Sequence, residues 1–213
     1  MLDNVGRVIP AGVVDAWVFF LRGLWASGLR LEEAATNLYW DRDDRIRPLM
    51  DLEEPLLRIP RELHKSNVDQ LLPMAPEFAV MLQGVPAKQR RGRVFRLPGE
   101  AGTNVTAETA GKRISRMGKL AGVVVPRDPK DPEKVKYALA HDLRRTFGDR
   151  WSRKIMPADL KDLMRHESIE TTLRYYVGQN TEGTARKCWE IYRESDGFGF
   201  EAPKPAPKRA TAK

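Results

Sequence analysis

His141-Asp-Leu-Arg144 and, further along, Leu163-Met-Arg-His166-Glu-Ser-Ile-Glu-Thr-Thr-Leu-Arg-Tyr175-Tyr176 carry two of the three histidines of this 213-residue chain. Within 36 residues they collect two imidazoles, a guanidinium and a pair of tyrosines. Such a set suits holding a phosphate and attacking it with a phenol. His141 and Arg144 stand three apart, so on a helix they share a face. An arginine there offers a bidentate fork to phosphate at any relevant pH, and a histidine exchanges protons near neutrality. By itself His-x-x-Arg is a weak signal. Over Ser168–Val177 a helix is expected, with Ser168 as its N-cap. Ile169, Leu173 and Tyr176 then fall on one face by i, i+4, i+7 spacing, which assigns Tyr176 to the core. Tyr175 lies about 100° away and is the phenol free to face a ligand.

Charge widens the argument. The net charge is +8 and the pI about 9.7, which favours a polyanionic partner. Residues 85–120 hold nine basic side chains against Glu100 and Glu108, whereas residues 31–54 hold eight carboxylates against three arginines. A surface polarised in this way suits a DNA-facing side, with Arg90, Arg91, Arg93, Lys112, Arg113 and Arg116 as candidate DNA contacts. Cys188 is the only cysteine, so there is no disulfide framework and no cysteine zinc site, and a reducing, cytoplasmic compartment is expected. The apolar run Val13–Trp25 is interrupted by Asp15 and Arg22 and is too short to span a bilayer, so no membrane association is expected.

Read for organisation, the chain predicts a mainly α fold with a small antiparallel sheet. Helices are expected over Val13–Trp25 (ended by Gly28), Leu31–Leu38, Pro76–Gln83, Ala107–Leu120, Lys134–Arg153 and Pro157–Met164. Three short apolar runs, Pro48-Leu-Met, Leu56-Leu-Arg-Ile-Pro60 and Leu71-Leu-Pro73, read as strands with a turn near Ser66-Asn67. Arg93–Leu97 reads as a short strand or extended piece, and Pro126–Glu133 as a loop. The basic tail 201–213, rich in Pro, Ala and Lys, cannot bury a core and is expected to be disordered.

The spacing of 25 residues from His141 to His166 and nine more to Tyr175 resembles that of the tyrosine recombinases, the phage-type integrases. Leu163-Met-Arg-His166-Glu-Ser168-Ile-Glu-Thr-Thr172-Leu-Arg-Tyr175 is similar to the last motif of that family. Ser27-Gly-Leu-Arg30-Leu-Glu-Glu33-Ala, followed by Asn37-Leu-Tyr-Trp40-Asp41, resembles its first box. His64-Lys65-Ser-Asn-Val-Asp-Gln-Leu-Leu-Pro73-Met resembles the hairpin that bears the family's catalytic lysine, although the interval from Arg30 to Lys65 is longer than the family's compact sheet suggests. Position 165, often glycine in the family, is Arg165 here, which reads as a tolerated departure and as a candidate phosphate contact.

The resemblance implies a catalytic domain over residues 1–200 with the fold of a tyrosine recombinase. It implies that Tyr175 attacks a scissile DNA phosphate to give a 3′-phosphotyrosine. Arg30 and Arg144 would clamp the phosphate, Lys65 would protonate the leaving oxygen, His141 would assist proton transfer, His166 would bond a phosphate oxygen, and Glu33 would orient Arg30. It implies double-stranded DNA as partner, a dimer or tetramer on that DNA, no cofactor and no metal, and a bacterial or phage origin. Only 29 residues precede Arg30, so the family's N-terminal DNA-clamping domain is expected to be absent. Two alternatives stay open: a DNA-binding remnant that no longer recombines, and a strand transferase of type IB topoisomerase character.

Overall fold

The computed structural model describes residues 1–63, 68–99, 103–125, 135–176 and 189–191. Residues 1–175 form one compact unit, and a second begins at Tyr176. Of the second, Tyr176 and a helical turn at residues 189–191 are described, with Trp189 and Ile191 exposed. The expected hairpin tip at Lys65, the loop 126–133 and the tail 201–213 lie outside the described residues.

Helix α1 (Val14–Ser27) carries the core of the first unit, burying Trp17, Phe20, Leu21 and Leu24 on one side. Full burial of a side chain such as Phe20 stabilises the fold by about 1.5–3 kcal/mol. Gly28 ends the helix in the left-handed region (φ 63°), and a Cβ there would meet the Phe147 ring at 2.5 Å. Only glycine satisfies both the backbone and that contact. A π-helical turn over Glu33–Asn37 follows, covering the stretch where a short helix was expected. Leu38 then bridges to Ile46 and Tyr39 to Arg93.

Strands β1 (Arg47–Leu49), β2 (Leu56–Ile59) and β3 (Gln70–Pro73) form the expected antiparallel sheet, in the order β1-β2-β3. The register places Pro48 opposite Leu57, and Leu57 opposite Leu72. These three residues are buried on one face, while Leu71 on β3 is exposed. The piece after Arg93, expected as a strand or extended piece, bends at Val94 and Phe95 and joins no strand of this sheet. It carries Phe95 into an aromatic cluster with Phe19, Phe20 and Phe78, at centroid distances of 5.2–6.4 Å.

Helices α2 (Pro76–Gln83) and α3 (Ala107–Leu120) match their predicted bounds. Pro76 sits in the first turn of α2, where its missing N–H costs nothing. Thr106 caps α3 by accepting the Thr109 N–H at 3.2 Å, and Ala110, Ile114 and Met117 form its buried stripe.

Helix α4 (Ala140–Trp151) is shorter than the predicted 134–153. Tyr137 pairs with Val124, and the Ala138 N–H donates to the Val123 carbonyl at 2.8 Å, so this segment is extended. The helix starts where the buried Asp142 carboxylate accepts the Leu139 N–H at 2.9 Å. Helix α5 (Pro157–Met164) ends at Arg165, which is left-handed (φ 52°, ψ 52°). Helix α6 (Ile169–Leu173) has the expected Ser168 cap, whose hydroxyl accepts the Glu170 N–H at 3.0 Å.

The apolar face expected of α6 is not what it buries. Ile169 and Leu173 are exposed, Tyr176 is half-buried, and the buried residue is Thr172. The helix is too short to carry a packing stripe; its inward position serves a hydrogen bond to His166 instead. Among the described residues, no helix is long and apolar enough to cross a membrane.

Candidate active site

Three turns bring the site together: the exit of α1, the exit of α5 and the exit of α6, with α4 running past all of them. Arg144, on α4, is 6% exposed. Its guanidinium donates from Nη1 to the Gly28 carbonyl and from Nη2 to the Met164 carbonyl, tying the first turn to the second. Burial, then the neighbouring Arg30 charge, pushes the Arg144 pKa down to about 10, so it stays cationic at neutral pH.

Arg30 follows Gly28 by two residues and is far more open, its side chain 48% exposed. Its Nη1 donates to Glu33 Oε1 at 3.1 Å, its main-chain N–H to Glu33 Oε2 at 2.8 Å, and its Nη2 to the Arg165 carbonyl at 3.2 Å. Glu33 also takes an ion pair from Arg165 Nη2. Burial works to raise the Glu33 pKa; the charges of Arg165 and Arg30, with the Arg30 N–H, outweigh it and hold the carboxyl below its ordinary value. Two guanidinium groups thus pair with one carboxylate, and a third, that of Arg144, lies within its field. The surplus positive charge, with Arg30 turned to solvent, suits an anion.

His166 and Tyr175 stand beside that surplus. His166 Nδ1 lies 2.9 Å from Thr172 Oγ1, and its ring stacks nearly parallel on that of Tyr175. Burial first, then Arg144 and Arg30, pushes the His166 pKa down to about 4, so the ring is neutral at physiological pH. Burial raises the Tyr175 phenol above its ordinary value, while the Arg144 charge acts in the opposite direction. His141, one turn before Arg144, is exposed as a residue, and partial burial of its ring lowers its pKa, with the Asp142 charge opposing. A proton on His141 would disfavour one on His166.

Arg30, Glu33, Arg144, His166 and Tyr175, drawn from three separate stretches of sequence, are therefore assembled, with His141 at their edge. Lys65 lies outside the described residues. Arg165 and Thr172 complete the site; Arg165, read from the sequence as a phosphate contact, is instead paired with Glu33, and Thr172 carried no role there. The signal for Arg165 was its place where a glycine is usual; that for Thr172 was its place in the Thr-Thr step of the last motif, six residues after His166.

The candidate DNA contacts divide. Arg91, Lys112 and Arg116 are exposed, with Lys112 paired to Glu108 at 2.6 Å. Arg93 instead donates from Nε to the Tyr39 hydroxyl at 3.0 Å and from Nη1 to the Ala35 carbonyl at 2.8 Å. Arg90 is tied to the Val85 and Gln83 carbonyls and lies over Trp40, and Arg113 lies over Trp17 at 5.4 Å. These three serve the packing around them. Among the described residues, no three His, Cys, Asp or Glu side chains converge as a metal site.

A helical domain with a small sheet gathers two arginines, two histidines and a tyrosine, a set whose chemistry suits a phosphate and a phenol nucleophile. The family model of the phage integrase family matches residues 15–182, and the chain belongs to that family. No curated protein sequence matches it significantly. Among solved structures, it is similar to the Tn1549 transposon integrase in complex with circular intermediate DNA (TM-score 0.56, 18% identity, 89% of this chain and 63% of that one). It is likewise similar to the XerH site-specific recombinase bound to difH substrate in a pre-cleavage complex (TM-score 0.52, 16% identity, 88% and 49%). A third such structure is a lambda integrase dimer bound to a COC′ core site (TM-score 0.52, 13% identity, 83% and 58%). At these identities the likeness is one of fold. The chain spans less than two thirds of the length of each of these neighbours.

Proposed function

We propose that this chain is the catalytic domain of a site-specific recombinase that cleaves and rejoins double-stranded DNA through Tyr175. The observation that carries the reading is the placement of the Tyr175 phenol within the field of the buried Arg144 and stacked on His166, both of which feel the charge of the open Arg30. Tyr175 Oη attacks the scissile phosphorus, the 3′ side becomes a phosphotyrosine, and the 5′-oxygen leaves with a proton from Lys65. A phenol with an ordinary pKa near ~10 is a weak nucleophile at pH 7, and burial of Tyr175 weakens it further. It therefore needs a proton acceptor and cations that stabilise the developing charge. His141 assists the proton, Arg30 and Arg144 take the non-bridging oxygens, and the neutral His166 donates to one of them. The phosphotyrosine conserves the bond energy for religation, so the scheme calls for no metal or nucleotide.

Under this reading the exposed Arg91, Lys112 and Arg116 contact DNA phosphates, and the tail 201–213 adds further charge. Exchange of strands between two duplexes requires a dimer or tetramer on DNA. The lone Cys188 fits a reducing, cytoplasmic setting of bacterial or phage origin.

The test is covalent capture. Full-length protein is incubated with a pool of nicked duplexes randomised around the nick, and detergent-resistant protein–DNA adducts are isolated and sequenced. The expected result is an adduct in the wild type and in Tyr176→Phe, and none in Tyr175→Phe. An adduct surviving in Tyr175→Phe overturns the nucleophile. Binding without any adduct favours the DNA-binding remnant, and plasmid relaxation without strand exchange favours the topoisomerase-like activity.

A further inference from the structure

Arg165 is, among the described residues, the only non-glycine with positive φ. That conformation is strained for a side chain with a Cβ, and glycine adopts it freely. The strained residue is engaged at both ends. Its carbonyl accepts Arg30 Nη2 at 3.2 Å, and its guanidinium pairs with Glu33, which in turn holds Arg30 by its main chain and its side chain. Arg30, Glu33 and Arg165 thus form a closed ring of contacts joining segments 132 residues apart. The side chains of Arg165 and Glu33 are 12% and 16% exposed, against 48% for Arg30. One arginine is shielded behind the carboxylate and the other is presented in front of it. Arg144 reinforces the arrangement from the other side, because the carbonyls it binds belong to residues 28 and 164, which flank the ring.

We propose that Arg165 is a positioning residue: through Glu33 and through its own carbonyl it fixes the direction in which Arg30 meets the scissile phosphate, without itself touching DNA. This rests on the recombinase reading of the site. It explains why a strained arginine stands where the backbone alone would favour glycine.

The experiment compares Arg165→Gly, Arg165→Lys, Glu33→Gln and the double variant Arg165→Gly with Glu33→Gln, all in the full chain. Glycine suits the backbone, so the fold is retained and Tm serves as the control. At saturating duplex, Arg165→Gly is expected to slow adduct formation on the order of 10–100-fold, the cost of a catalytic group displaced by about 1 Å. DNA affinity is expected to stay within about threefold, because a group that touches no phosphate adds little binding. Arg165→Lys recovers part of the rate, and in the Glu33→Gln background the loss of Arg165 adds little.

The acid limb of the rate also moves to higher pH in Arg165→Gly. Glu33 faces Arg30 and Arg165 and lies within the field of Arg144, and removing Arg165 leaves burial less opposed. An unchanged rate overturns the proposal. So does a loss of DNA affinity at unchanged saturated rate, or an undiminished effect in Glu33→Gln; either would make Arg165 a direct phosphate contact. Should the wild type form no adduct, the functional reading fails. The ¹³C titration of the Glu33 carboxyl then decides the positioning contact: a value below the ordinary range that rises in Arg165→Gly sustains it, and an unchanged value overturns it.

Discussion

The ring of Tyr175 lies over that of His166, with centroids 6.0 Å apart and planes 11° from parallel. The two are nine residues apart in sequence, and their meeting depends on the turn between α5 and α6. Neutral His166 suits this neighbour, since a protonated ring would add a cation beside Arg144 and Arg30 in a partly buried place. The other wall of the tyrosine slot is α4 at Gly148. A Cβ at that position would lie 2.5 Å from Tyr175 Cε1 and 2.8 Å from Met164 Sδ.

Gly148→Ala should therefore displace the nucleophile. The expected outcome is a fall in adduct formation on the order of 10²-fold, because reaction requires the phenol in near-attack geometry. Overpacking should cost about 1–3 kcal/mol of stability. DNA affinity should hold, since no basic contact is altered. Single-turnover rates beside a denaturant curve and a filter-binding isotherm check all three, and an alanine variant that cleaves at the wild-type rate would contradict the packing argument.

Arg144→Lys tests the buried clamp. Lysine is a point charge and cannot bond the Gly28 and Met164 carbonyls at once while keeping the fork geometry. A buried carbonyl left unsatisfied costs about 1–3 kcal/mol. Loss of one stabilising donor at the phosphate costs on the order of 10²–10³ in rate. Both should appear together in this variant, as a lowered unfolding midpoint and a slowed adduct. Arg30→Lys, at the open position, should show the rate loss with little change in stability.

Much of this fold could be read from the sequence, for reasons visible in particular residues. Pro76 and Thr106 mark the starts of α2 and α3 because each solves a local main-chain problem. The strands announce themselves as short apolar runs between turn residues. The start of α4 was hidden, because its extended lead-in depends on Tyr137 pairing with Val124, a contact that spacing cannot reveal. The face of α6 was misjudged because Thr172 is buried for a hydrogen bond to His166, whereas periodicity counts apolar residues only. At the site, residue types and intervals suggested the cluster, but the Arg165–Glu33 pair and the main-chain targets of Arg144 are tertiary. Likewise, composition treats Arg93 and Arg116 alike, and only the structure separates the one holding Tyr39 from the one facing solvent.

Acidification should weaken the fold through the same groups. His166 has a folded-state pKa of about 4 against an ordinary value of about 6.5. Between those values the unfolded chain binds the proton and the folded one does not, so stability falls as pH drops across that window. Glu33, held low by Arg165 and Arg30 against its burial, acts in the same direction: its contribution is present above its unfolded pKa and is lost as pH falls through the folded one. Tm should therefore drop between pH 7.5 and pH 5 (about the middle of the His166 window), and the drop should be smaller in His166→Asn. An equal drop in both proteins would show that His166 does not sense this range.

The basic surface should separate by salt dependence. Arg116 is exposed and Arg93 is committed to Tyr39 and Ala35. Each phosphate contact contributes close to one unit to the slope of log affinity against log salt, so Arg116→Ala should lower that slope by about one and leave Tm unchanged. Arg93→Ala removes the partner of a half-buried hydroxyl and a carbonyl, so its expected cost is about 1–3 kcal/mol of stability. In that variant the salt slope should stay that of the wild type once the protein is kept below its unfolding range. Binding of a mixed-sequence duplex at several salt concentrations measures both. The reverse pattern, a stable Arg93→Ala with a reduced slope, would place Arg93 on the DNA and release Tyr39 from its partner.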